Sequence, residues 1–309
     1  MGEFLFLTYR LATQEFMNTR LSFLARLAIG ATVLLELGSS IQAATTIDPV
    51  NRYAYGGNVD WMDWYADGVN GAVIGEYVCS GYIYAATVGW INLGGGSPTN
   101  GIDYQNLAAN DFGVNQDGLG NLRGYAYGAN IGWVNFEDTG APKVNMVTGE
   151  MNGFVWSANC GWISLDNAAA YVQTDFIAPG ALAPDGLPIA WLLTYFGATN
   201  VDANADPTGK GMTIGQDYLA GTNPNSSASL FEITGATFAP DGTSATLTWS
   251  SEPTRYYYIQ EALNLGLADW TYSSAGLVSP AGASTTSGFT DSDAQDRFYR
   301  IQAVRPLIH

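Results

Sequence analysis

An aromatic motif recurs four times in the first half of this chain, and an internal repeat limits the architecture before any single residue is considered. The copies are Tyr53-Ala-Tyr55 leading to Trp61, Tyr82-Ile-Tyr84 leading to Trp90, Tyr125-Ala-Tyr127 leading to Trp133, and Phe154-Val-Trp156 leading to Trp162. In every copy the first aromatic precedes the tryptophan by eight residues. Three copies share the frame Gly-aromatic-x-aromatic, a few small or polar residues, then Gly-Trp-Ile/Val-x-Leu/Phe. Copies one and two, like three and four, are 29 residues apart, whereas two and three are 43 apart. The surplus falls within Gly94 to Gln116, where Gly94-Gly95-Gly96-Ser97-Pro98 signals an inserted loop.

Across residues 45–178, short alternating apolar runs cut by glycine and asparagine predict β-hairpins rather than helices. One such unit cannot bury a hydrophobic face alone, so the copies are expected to stack into a continuous sheet, a sandwich or a small closed barrel. Tyr125 and Tyr127, two apart on a strand, point to one face. Two readings of that face stand side by side. The rings stack into a core, or they are exposed and stack on the apolar faces of sugars. The second reading makes Tyr84, Trp90, Tyr127, Trp133, Trp156 and Trp162 the candidate ligand-binding aromatics. Asn130 and Asn159 fall where a turn is expected to require positive φ, which asparagine tolerates.

The motif resembles the Gly-aromatic-x-Trp-Ser-x-Asn-Ile-Gly-Trp-Ile-Ser repeats of exported and surface proteins of Gram-negative bacteria. The likeness is plainest at Gly153-Phe-Val-Trp-Ser-Ala-Asn-Cys-Gly-Trp-Ile-Ser164 and covers somewhat under half the chain. Copy one is the most diverged, with Asp60 in place of the glycine. The resemblance implies an extracellular or outer-surface location.

The N-terminus points the same way. Residues 17–43 read as a secretory signal, with Arg20 and Arg26 as a basic region, Leu27 to Leu35 as an apolar core and Ile41-Gln42-Ala43 as a cleavage site. The signal makes Met17 the natural start. That apolar core is too short to span a bilayer, and no later run is long enough for a transmembrane helix. With 11 basic against 28 acidic residues the net charge is −17, the wrong sign for a nucleic-acid partner. Export to an oxidising compartment makes a Cys79 to Cys160 disulfide one reading, with two buried free thiols as the other.

From Pro184 the pattern changes. Leu187 to Phe196, ended by Gly197, and Thr213 to Ala220, with a Thr213/Gln216 capping box and Gly221 as its stop, are expected helices. Each follows an Asp-Gly or Lys-Gly pair, and the segment 184–228 resembles the tandem calcium loops of dockerin-like and thrombospondin type 3-like segments, most closely over Asp217-Tyr-Leu-Ala-Gly-Thr-Asn-Pro224. The resemblance implies Ca2+ held by oxygen ligands at alternate loop positions. In the first loop those positions hold Ala181, Ala183, Asp185, Ile189 and Leu192, which cannot bind. In the second they hold Asp206, Thr208, Lys210, Ile214 and Asp217, and the Lys210 ammonium is expected to repel a cation. Asp202, Asn204 and Asp206 form an alternative series, leaving Asp202, Asn204, Asp206 and Asp217 as the candidate Ca2+ ligands.

Residues 229–305 return to strands: Leu230 to Phe238, Ala245 to Trp249, Tyr256 to Ala262, Trp270 to Ser273, Gly288 to Thr290 and Phe298 to Val304. This suits a small antiparallel β-sandwich. It resembles the immunoglobulin-like or fibronectin type III-like C-terminal modules of exported proteins in Verrucomicrobia-like bacteria, through Leu247-Thr-Trp249, Tyr257-Tyr-Ile-Gln260, Leu267-Ala-Asp-Trp270 and Phe298-Tyr-Arg-Ile301.

Little chemistry remains. The one histidine is His309, which excludes a Ser-His-Asp triad, a Cys-His pair and histidine metal sites. No phosphate loop or dinucleotide fingerprint occurs. Hydrolysis by paired carboxylates needs no histidine, and Asp60 and Asp63, beside Trp61 and Trp64, are its candidates. The sequence therefore predicts a mainly β, modular, exported protein of Gram-negative type. Its role is structural or adhesive and non-enzymatic, with polysaccharide or other envelope proteins as partners; the alternative is a secreted glycan-degrading enzyme or its binding subunit.

Overall fold

The computed structural model describes residues 45–265, 269–290, 297–305 and 307, together with the backbone of 5–10. The expected signal at 17–43, Leu267 and His309 lie outside the described residues. The chain opens with β1 (Leu5–Arg10), in the stretch before the expected start at Met17. There follow β2 (Ile47–Gly56), β3 (Asp60–Asp63), β4 (Ser80–Ala85), β5 (Gly89–Gly95), β6 (Val114–Gln116), β7 (Leu122–Gly128), β8 (Gly132–Asn135), β9 (Lys143–Val144), β10 (Met151–Asn152), β11 (Phe154–Ser157), β12 (Gly161–Ser164) and β13 (Val172–Thr174).

Each aromatic repeat is one antiparallel hairpin: β2–β3, β4–β5, β7–β8 and β11–β12. The hairpins pair side by side, and β12 returns to pair with β2, so eight strands close into a barrel. Closure decides which residues form the core. Alternation sends Ala54, Ile83, Ala126 and Val155 inward from the first strands, and Met62, Ile91, Val134 and Ile163 inward from the second, all essentially inaccessible to solvent. The residue three beyond each motif tryptophan, Trp64, Leu93, Phe136 and Leu165, is buried as well. The barrel is thus filled mainly by small and aliphatic side chains, with Trp64 and Phe136 meeting edge-on at 6.2 Å within the core.

The glycines of the motif have two jobs. Each hairpin loop is a three-residue turn in which the backbone N–H of Val59, Val88, Ile131 or Cys160 donates to the carbonyl three residues back. Such a turn ends in a left-handed residue, supplied by Gly89, Gly132 and Gly161 and, in the diverged copy, by Asp60 at φ 60°. The glycine that opens the motif serves close approach: at Gly124, φ is 99° and a Cβ would lie 2.4 Å from the carbonyl oxygen of Gly113. The expected inserted loop between copies two and three supplies that neighbour, ending in β6, which pairs with β7.

Beyond the barrel come α1 (Ile189–Phe196) and α2 (Ile214–Ala220). Both stop at left-handed glycines, Gly197 and Gly221, and the Thr213/Gln216 capping box is formed. The first helix starts two residues later than expected because Pro188 takes the cap position. Trp191, Leu192, Ile214 and Tyr218 form a separate small core between them. The last strands are β14 (Ile233–Phe238), β15 (Ser244–Ser250), β16 (Tyr256–Ala262), β17 (Thr271–Val278), β18 (Ser284–Thr290) and β19 (Phe298–Val304). They make two sheets, ordered β14-β15-β18 and β1-β19-β16-β17, whose buried faces contribute to one core of Leu247, Trp249, Tyr257, Ile259, Tyr299 and Ile301.

The three cores meet at charged contacts. Arg305 Nη1 lies 3.2 Å from Glu76 Oε2, and the Tyr218 hydroxyl donates to the same oxygen at 2.8 Å. Arg255 donates to the carbonyl oxygens of Tyr218 and Leu219. Among the described residues no helix is long and apolar enough to cross a membrane.

Candidate functional site

The register of the four hairpins places the motif aromatics in one pattern. Tyr55 stands directly opposite Trp61, Tyr84 opposite Trp90, Tyr127 opposite Trp133, and Trp156 opposite Trp162. In the three Tyr/Trp pairs the ring centroids are 5.0, 5.0 and 4.9 Å apart and the planes are tilted by 58–63°. The first aromatic of each copy, Tyr53, Tyr82, Tyr125 or Phe154, meets the same tryptophan edge-on at 6.0–6.3 Å. Because the opposite face of each strand fills the barrel, these rings lie on its outside. The four motif tryptophans are 44–47% exposed.

Polar side chains alternate with the ring pairs around the barrel. The residue two beyond each tryptophan pairs with the second aromatic of the next hairpin: Asp63 with Tyr84, Asn92 with Tyr127, Asn135 with Trp156, and Ser164 with Tyr55. Asp63, Asn92 and Asn135 also cap the strand ends, each accepting a backbone N–H two residues on through Oδ1. Among the described residues no protein acceptor engages Nδ2 of Asn92 or Asn135. The outcome is a belt of half-exposed aromatic pairs separated by hydrogen-bonding groups.

The structure thus brings Tyr84, Trp90, Tyr127, Trp133, Trp156 and Trp162 onto the outer surface, and separates the reading of a ring-stacked core from the fold. The motif rings are outside, and the core is mainly aliphatic, with Trp64 and Phe136 as its buried rings. Tyr55 and Trp61 belong to the same belt, as their identical spacing already signalled. Phe112, from the inserted loop, packs on Trp133 at 5.2 Å and on Tyr127 at 6.3 Å.

The expected role of Asn130 and Asn159 is corrected. The left-handed residues are Gly132 and Gly161, two positions later. The asparagines instead link neighbouring hairpins: Asn130 Nδ2 donates to the Val88 carbonyl at 3.0 Å and Asn159 Nδ2 to that of Ile131 at 3.0 Å. Thr87 reaches the Val59 carbonyl at 2.7 Å, and Asn58 reaches that of Cys160 at 3.1 Å. Four equivalent bonds therefore run around one end of the barrel.

The disulfide reading is also corrected, since Cys79 and Cys160 are both free and buried. Cys160 sits in the ring of turns, whereas Cys79 precedes β4 at the strand end away from its turn, beneath the Tyr104 hydroxyl. A six-residue strand rises about 20 Å, far beyond the Cα separation a disulfide spans. Burial pushes the Cys79 thiol up to about 12.

The candidate catalytic carboxylates do not form a pair. Asp60 is the left-handed turn residue, and Asp63, three residues along the strand, lies 3.3 Å from Arg52 and accepts the backbone N–H groups of Tyr65 and Ala66.

Nor do the candidate calcium ligands assemble. Among the described residues no three His, Cys, Asp or Glu side chains converge as a metal site. Asp202 accepts the N–H of Asn204. Asp206 accepts those of Lys210 and Gly211, and these bonds, from Gly211 first, hold its carboxyl below the usual range. Asp217 is fully buried and paired with Lys210 Nζ at 2.7 Å. Burial pushes its carboxyl up, against the pull of Lys210 and Thr222. The four residues therefore do not fit calcium as a set: Asp202 and Asp206 bond backbone N–H groups of their own loop, and Asp217 faces the Lys210 ammonium.

Comparison with protein-family models, curated proteins and solved structures finds no match to this chain.

Proposed function

We propose that this is an exported, non-enzymatic surface or extracellular protein whose repeat barrel binds carbohydrate. The observation that carries the reading is the belt of paired, half-exposed Tyr and Trp rings, each bordered by a hydrogen-bonding side chain. Aromatic rings present flat apolar area at low entropic cost. Sugars present matching apolar C–H faces rimmed by hydroxyls, which Asn92 and Asn135 are placed to receive. A few polar groups beside apolar surface is the usual composition of a ligand site.

The reading extends to the other parts. The apolar core of the leader and the likeness to exported repeat proteins support secretion to the surface of a Gram-negative cell. The helical pair serves as a spacer, and the C-terminal sheets as an immunoglobulin-like or fibronectin type III-like stalk. The single histidine and the engaged Asp63 support a binding role over hydrolysis.

The test is retention of the full chain on a panel of insoluble polysaccharides, with release by soluble fragments of the one that retains it. Specific retention is expected. No retention on any member, together with concentration-dependent self-association in sedimentation, would replace carbohydrate binding with a purely structural role in the envelope or matrix.

A further inference from the structure

Lys210 stands at a loop position where the calcium segments that residues 184–228 resemble carry an oxygen ligand, and its surroundings are built for a cation. Its ammonium donates to Asp217 Oδ1 at 2.7 Å and to the main-chain carbonyl oxygens of Asn223 at 2.8 Å, Ser229 at 2.8 Å and Ser226 at 3.2 Å. The Lys210 side chain is 1% exposed and that of Asp217 is 0% exposed. One carboxylate and three carbonyls are all oxygen donors of the kind hard cations take, four where Ca2+ takes six to eight.

The fit to an ammonium is close but incomplete. An ammonium has three protons, and four oxygens converge on it. Asp217 Oδ1 is shared by Lys210 and the Thr222 hydroxyl, while Oδ2 is buried with no hydrogen-bond partner. An orphaned carboxylate oxygen in a dry site is costly, and a divalent ion, which takes six to eight oxygens, would engage it. An ordinary buried ion pair accounts for the Lys210–Asp217 contact but not for three backbone carbonyls turned onto the same nitrogen.

We infer that Lys210 is the resident cation of this loop, a tethered ammonium that holds residues 222–229 against α2 without any metal ion. The segment it clamps leads directly into β14, so the lysine fixes the path from the helical pair to the C-terminal sheets. The spacer then keeps its geometry whatever the calcium concentration outside the cell. Asp202 and Asp206 are left as turn caps, which is how they are bonded.

The experiment is calorimetry of the full chain, in chelator and in about 5 mM CaCl2, a concentration that saturates typical extracellular calcium modules. For the wild-type chain the transitions should agree within about 1 °C, since a ligand that does not bind the native state cannot stabilise it. Lys210→Met strands a buried carboxylate and should lower the transition of this segment by roughly 5–15 °C, with no recovery in calcium. Lys210→Asp should be destabilised in chelator and recover by more than about 5 °C on adding calcium. A calcium-dependent rise in the wild type would overturn the inference, and so would a Lys210→Met chain as stable as wild type. A folded Lys210→Asp chain indifferent to calcium would overturn the cation cage; should that variant not fold, the wild-type and Lys210→Met results decide.

Discussion

Asn58 in the first hairpin donates its side-chain N–H to the carbonyl oxygen of Cys160 in the fourth, 3.1 Å away across 102 residues of sequence. The same bond joins Asn130 to Val88 and Asn159 to Ile131, between hairpins that follow one another in the chain. The bond at Asn58 is the one that joins last to first. It turns a row of repeats into a ring.

Replacing Asn58 by Ala should cost about 1 kcal/mol, the net worth of one hydrogen bond whose acceptor is left behind. Asn130→Ala should cost a similar amount, because the two positions are equivalent around the ring. Urea unfolding of both variants checks this. A cost at Asn130 with none at Asn58 would mean that the barrel is not closed.

Two glycine substitutions should diverge sharply. At Gly124 a Cβ meets the Gly113 carbonyl at 2.4 Å with φ at 99°, so Gly124→Ala should lose at least about 2 kcal/mol through strain and overpacking. At Gly57 nothing lies within 4 Å of a Cβ, so Gly57→Ala should change stability by less than about 0.5 kcal/mol. Denaturation midpoints of the two variants measure the difference.

Much of this was legible in local sequence. The helix stops at Gly197 and Gly221 and the Thr213/Gln216 capping box depend only on neighbours, and they stand where expected. The outward orientation of the rings was not legible, because alternation says that Tyr125 and Tyr127 share a face but not which face meets the core. That choice is made by Ala126 and Val134 filling a barrel whose closure pairs strands more than 100 residues apart. The role of Asn130 was hidden for the same reason, its partner Val88 lying in the preceding hairpin. The sequence pattern makes Lys210 a charge that repels a cation; its contacts with Asp217 and three main-chain carbonyls depend on how residues 222–229 fold back on it.

The thiols should be silent in the native state. Both are buried, and the Cys79 thiol is pushed up to about 12 by desolvation. A thiol reagent at neutral pH should titrate neither cysteine until denaturant is added, and then both. Fewer than two thiols after denaturation would point to an oxidised pair.

Acid should destabilise the fold through turn-capping aspartates. Backbone N–H groups hold Asp206 and Asp241 below the ordinary value of 3.8. A carboxyl depressed in the folded state contributes stability that is present above that ordinary value and lost as pH falls through the folded one. Melting temperatures should therefore drop as pH falls below about 4, and the drop should be shallower in Asp206→Asn. An identical acid profile in that variant would assign the effect to other groups.

The central claim is that the half-exposed ring pairs are the binding surface, and it is tested most directly by removing the tryptophans together. The measurement is retardation in native gels containing a soluble form of the polysaccharide that retains the wild-type chain, compared with the variant carrying Trp61→Ala, Trp90→Ala, Trp133→Ala and Trp162→Ala. Loss of retardation in a variant that still shows a cooperative melt and wild-type strand content is the predicted result. Undiminished retardation would contradict the account and move binding away from the belt.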